Sequence, residues 1–143
     1  MHKALLALLT LILFLSCGKL NEITAPPIEP PTDPIDQTAT FSRIQTQIFT
    51  PTCAVLGCHD RLGRQESLIL TADQSYANIV GVASVQMPSV RRVSANDPNN
   101  SYLYRKITGV GITGDRMPQG GPFLSDAEIK LIRDWIRRGA PND

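Results

Sequence analysis

Two thiols and a histidine in one seven-residue stretch, Cys53-Ala-Val-Leu-Gly-Cys58-His59, constrain this chain more than any other feature. Thiols at fixed separation can close a disulfide, share a metal, or add across the two vinyl groups of a porphyrin to make a c-type haem site. In that last chemistry the second thioether pins the ring, and the histidine directly after it reaches the iron. The common spacing is Cys-x-x-Cys-His; here four residues separate the thiols. The longer gap has to bulge outward while its ends meet the ring, and Gly57 supplies a permissive backbone beside Cys58. Zinc is the weakest reading. Cys53, Cys58 and His59 give three ligands where structural zinc takes four, and the other histidine, His2, falls in a leader segment.

The N-terminus reads as an export signal. Met1-His2-Lys3 is short and positive, and Ala4 to Leu15 is apolar apart from Thr10, too short for a comfortable membrane span. It ends in Phe14-Leu15-Ser16-Cys17-Gly18, which resembles the bacterial lipoprotein box with Phe where Leu is usual. Residues 1–16 are therefore expected to be removed and Cys17 to carry the lipid, tethering the chain to a membrane without inserting it. The expected location is outside the cytoplasm, periplasmic or on the outer face. Export consumes one cysteine and delivers the other two to an oxidising compartment, the compartment in which bacterial haem attachment occurs.

Residues 17–39 are expected to be a linker. Pro26, Pro27, Pro30, Pro31 and Pro34 alternate with polar residues, a composition that favours extended polyproline II and a spacer of roughly 60 Å. Residues 40–143 form the folded domain. Loss of residues 1–16 takes Lys3 from the 14 basic residues and nothing from the 13 acidic ones, so the mature chain is formally neutral. That balance gives no reason to expect nucleic acid as a partner. A domain this small has a modest apolar stock, and a staple or cofactor is the usual way to complete such a core.

Helical periodicity dominates. Thr40 is placed to cap a helix carrying Phe41, Ile44 and Ile48 on one face, which Pro51 is expected to stop before Cys53. Ser125-Asp126-Ala127-Glu128 is a capping box for a helix with Ile129, Ile132, Trp135 and Ile136 inward, Arg137 and Arg138 in its last turn and Gly139 at its end. Asp73 to Val80 and Asn99 to Thr108 are shorter candidates, the second opened by Asp97-Pro98. The remainder is loop, rich in glycine and proline. The fold class expected is all-α, with short helices and long loops.

A six-coordinate haem needs a second axial ligand. His59 is the single histidine of the mature chain, so the candidates are Met87 and Met117. Met117 lies in the turn-rich Gly114-Asp115-Arg116-Met117-Pro118-Gln119-Gly120-Gly121-Pro122, a loop suited to folding over a haem face. Met87, beside Val85 and Val90, reads as core packing.

From Phe41 to Ala140 the order of motifs resembles the small mono-haem c-type cytochrome domains of bacterial exported lipoproteins. The run comprises the first helix, Cys-x(4)-Cys-His, Tyr76-Ala77-Asn78-Ile79-Val80 and Asp97-Pro98-Asn99-Asn100-Ser101-Tyr102-Leu103. Arg116-Met117-Pro118, Leu124 to Ile129 and Trp135-Ile136-Arg137-Arg138-Gly139-Ala140 complete it. The resemblance implies a class I cytochrome c-like fold whose first and last helices cross beside one covalent haem c. It implies Cys53 and Cys58 as thioether attachments, His59 as proximal ligand and Met117 as distal ligand. A one-electron carrier serving redox partner proteins, not an enzyme, is the function it implies. Arg91, Arg92, Arg105 and Arg116, with Tyr102 and Trp135, are candidate partners for the haem propionates. The competing readings are an exported structural lipoprotein stapled by a Cys53–Cys58 disulfide, and a haem-based sensor with a displaceable Met117.

Overall fold

The computed structural model describes residues 33–143. The expected export signal, Cys17 and the first part of the proline-rich segment lie outside the described residues. The fold of residues 33–143 is all-α: four α-helices joined by long connections, with pairing between extended segments limited, among the described residues, to isolated bridges such as Val80 with Val93. No helix among them is long and apolar enough to cross a membrane.

Helix α1, Phe41–Ile44, starts where Thr40 Oγ1 accepts the Arg43 amide. It does not stop at Pro51. The winding loosens into a π-helical segment, Gln45–Cys53, that carries Pro51 within it and delivers Cys53 as its last residue. In an α-helix the proline ring would meet the carbonyl four residues back; the wider turn relieves that clash, and the Ala54 amide bonds Phe49, five residues back, at 2.7 Å. The segment thus continues directly into the cysteine loop.

Helix α2, Ser75–Ile79, and helix α3, Tyr102–Thr108, are shorter than the periodicity suggested. Asp97 explains the late start of α3. Its carboxylate accepts from the Asn100 amide and side chain, and the Ser101 hydroxyl donates to the Asp97 carbonyl, so residues 97–101 form a closed turn ahead of the helix. Helix α4, Asp126–Arg137, has both halves of the capping box between Ser125 and Glu128, and Gly139 leaves it at φ +93°. Arg138 is its C-cap residue and turns outward from the helix to the Ala39 carbonyl and Asp143.

The core forms where α1 meets α4. Ile44, Ile48, Ile132, Trp135 and Ile136 are all fully buried, and the Phe41 ring lies 5.4 Å from Trp135 and 5.1 Å from Tyr76, centroid to centroid. Leu70, Ile79 and Val93 extend this core toward the middle of the chain.

The compact unit begins at Asp33, inside the stretch read as linker. Asp33 is paired with Lys130, Arg133 and Arg137, the Asp36 amide donates to Asp134 at 3.1 Å, and Ala39 is fully buried. The described part of that stretch carries a turn, with the Ala39 amide donating to the Asp36 carbonyl, and Asp33 docks it on the basic face of α4.

Candidate functional site

The π-helical segment ends at Cys53, and a tight loop follows. The His59 amide donates back to the Cys53 carbonyl at 3.1 Å, and the Cys58 amide to Val55 at 3.0 Å, so the two cysteines bracket a closed turn. Gly57 takes φ +82°, the left-handed backbone that a glycine adopts at little cost. Val55 and Leu56 point to solvent, Leu56 at 82% exposure, so the extra residues between the thiols bulge outward. Gly63 braces this loop from outside. A Cβ there would lie 2.5 Å from the Gly57 carbonyl carbon and 2.7 Å from the Cys58 nitrogen. Sequence reading missed Gly63; its signal was Asp60-Arg61-Leu62-Gly63, an Asp-to-Gly turn pattern, and the Asp60 carboxylate does accept the Gly63 amide.

Cys53, His59 and Met117 line one cleft of about 670 Å³, part of it open to solvent. Leu68, Leu70, Ile79 and Ile107 give it apolar walls. Three segments far apart in sequence meet here: the cysteine loop, the connection around α2, and the Gly/Pro-rich loop before α4. The Met117 amide donates to the Lys106 carbonyl at 2.9 Å, which ties that loop to α3. Cys58 is the exception. It is exposed and does not line the cleft.

His59 Nδ1 is buried and has no hydrogen-bond partner, alone in this respect among side-chain atoms of the described residues. Desolvation pushes the imidazole pKa below its ordinary value; the Leu68 and Gln65 carbonyls oppose this, though neither completes a bond to Nδ1, and Arg92 and Lys106 add to the lowering. That lowering favours the neutral ring, the state a metal ligand requires. Burial pushes the Cys53 thiol up to about 12, with Cys58 and Glu128 contributing, so it is fully protonated at pH 7. No cluster of three or more His, Cys, Asp or Glu among the described residues is arranged to hold a metal ion by itself. A tetrapyrrole asks for no such cluster, since it brings four ligands of its own. An orphaned imidazole, a thioether and a thiol on one apolar cleft fit that group.

Met87 is not in the core. It is half-buried outside the main cluster, and its sulfur accepts from Arg105 Nη1 at 3.7 Å. The candidate anion partners also separate. Arg116 donates to the Ile107 carbonyl and lies over the Phe123 ring, Arg105 is bonded to Asn99 and Asn100, and Trp135 Nε1 donates to the Pro141 carbonyl. Arg91 is exposed. Of the four arginines only Arg92 lines the cleft, and Tyr102 lines it with its hydroxyl donating toward Gln86 and Thr113. Lys106, which sequence reading passed over, lines it too. Its signal was a cation on the inward stripe of α3, four residues after Tyr102 and three after Leu103.

No family model matches this chain, and neither the curated proteins nor the solved structures yield a match.

Proposed function

We propose that the chain is a membrane-tethered one-electron carrier of cytochrome c-like fold, holding a single c-type haem through Cys53 and Cys58 with His59 and Met117 as axial ligands. The observation that carries this reading is the convergence of Cys53, His59 and Met117 on one apolar cleft, with the imidazole Nδ1 buried and unpartnered. When bound, the haem supplies a ferric–ferrous couple.

The chain's own residues set the conditions for that couple. His59 presents a neutral nitrogen donor from a loop fixed by the Cys53–His59 backbone bond. Met117 presents a thioether, a weak donor that favours the reduced state and raises the potential. The Leu and Ile walls would shield part of a bound ring from water, which would disfavour the extra positive charge of the oxidised state. Cys58 is exposed on the bulged loop and does not line the cleft, so its attachment would require that loop or side chain to turn toward the ring. His59 and Met117 would together hold the group from the protein's side, which favours carrier over enzyme. Lipid on Cys17 and the proline-rich segment would hold the domain near a membrane, where exported redox proteins are its partners.

The test is ligand exchange. In protein matured with haem-attachment machinery, the wild type should cycle reversibly by one electron, and its reduced spectrum should not change under carbon monoxide. Met117→Ala should take up the gas. Carbon monoxide binding by the wild type, with loss of the Met117 bond, would replace the carrier with a gas sensor.

A further inference from the structure

Arg92 and Lys106 are each only 8% exposed, and neither belongs to any salt bridge among the described residues. The other buried charge among the described residues is paired: Asp134, with no exposed side-chain surface, has Lys130, Arg133 and Arg137 around it. Arg92 instead donates Nη1 to the Asn78 carbonyl and Nη2 to the Glu66 carbonyl, both at 2.9 Å. Lys106 donates Nζ to the Thr113 carbonyl at 3.1 Å and sits 5.9 Å from the Tyr102 ring centroid. Carbonyls orient the two cations without neutralising them. Both line the same cleft. The one carboxylate on that lining, Glu66, is exposed and accepts from Gln86 at 3.2 Å. Burial holds the Arg92 guanidinium below its usual pKa, with Glu66 pulling the other way.

Two largely buried cations on the lining of an apolar cleft, with one exposed carboxylate on the same lining and no ion pair, are costly unless an anion joins them. We propose that Arg92 and Lys106 are the carboxylate-recognition pair of this cleft, which therefore takes a large apolar ligand bearing two anionic groups. This rests on the cofactor reading above and deepens it: the haem propionates are the anions, and Lys106 replaces Arg91, Arg105 and Arg116 as the second partner. Arg92 also links the Glu66 carbonyl to the Asn78 carbonyl, so anion binding would hold Glu66 in place at the edge of the cleft. The segment around Glu66 carries left-handed backbone at Arg64, Glu66 and Ser67, three non-glycine residues that such a contact would help to hold.

The probe is iron-free protoporphyrin, which has two carboxylates and cannot coordinate His59 or Met117 through a metal, compared with its dimethyl ester. Both are titrated into the apo full chain by quenching of Trp135 fluorescence. The unmutated chain should bind the diacid about tenfold to hundredfold more tightly than the ester, the range for a charge-assisted hydrogen bond. Arg92→Gln and Lys106→Gln should each lose that preference while binding the ester unchanged; Arg92→Lys and Lys106→Arg should keep part of it. Because the ester comparison needs no substitution, it decides the matter even if Arg92→Gln fails to fold. Equal affinity for diacid and ester, or equal weakening of both in the variants, overturns the pairing and leaves the cofactor reading standing. Failure of the unmutated chain to bind either porphyrin overturns the cofactor reading and the pairing together.

Discussion

At the scale of single residues, the site depends on backbone more than on side-chain reach. Gly63 shows this best. Its absent side chain lets the Asp60–Gly63 turn lie directly against the Gly57–Cys58 peptide, and a methyl group would have to occupy space within 2.7 Å of the Cys58 nitrogen. Backbone cannot swing aside as a flexible side chain can. Gly63→Ala is therefore expected to destabilise the fold by about 1–3 kcal/mol, the usual cost of overpacking. It should also displace Cys58 relative to Cys53, lowering the yield of covalently attached haem more than the loss of stability alone would. Thermal unfolding together with haem yield checks both parts; unchanged yield with unchanged melting would remove Gly63 from the site. Lys106 teaches a related lesson. A lysine on an otherwise inward helix stripe, at 8% exposure, marks an intended neighbour for its charge.

At the scale of elements, α4 is the keel of the domain, and its most consequential position is Asp134. The carboxylate is fully buried, which by itself would raise its pKa; hydrogen bonds from Lys130, the Asp36 amide and Arg133 outweigh this and hold it below the usual carboxylate range. A folded-state pKa below the unfolded one means the contribution is complete above about pH 4 and fades as pH falls through the lower folded value. Asp134→Asn should cost about 3 kcal/mol at neutral pH, as removal of one member of a buried ion cluster does, and the deficit should shrink below pH 4. Urea unfolding at neutral and acid pH measures it; a deficit that does not depend on pH would contradict the account. The capping box and inward stripe made α4 legible in the sequence, because local chemistry alone decides them. The π-helical passage through Pro51 was not legible, since proline is read as a stop and only the pull of Ile48 and Phe49 into the core carries the winding past it. The docking of Asp33 and Asp36 on α4 was also hidden, being a long-range pairing that composition cannot register.

At the scale of the whole described domain, four short helices share a small core of Ile, Phe and Trp, and Leu70, Ile79 and Ile107 of that core also wall an apolar cleft. The sequence named Cys53, His59 and Met117, and the fold brings all three to that cleft from segments separated by more than half of the described chain. It also separated them from Cys58, which lies outside, and from Met87, which is tied to Arg105 at the surface of the core. Order along the chain could suggest which thioether belongs to the site; only tertiary packing could exclude the other. The central claim is that this cleft is completed by a haem attached through Cys53 and Cys58. It is tested most directly by a pyridine haemochrome spectrum of the full chain, expressed with haem-attachment machinery, after denaturation and acid–acetone extraction. The account predicts haem that stays with the polypeptide and is released when Cys53 and Cys58 are both replaced by serine. Apo protein under the same conditions, with Cys53 and Cys58 joined in a disulfide, would contradict it.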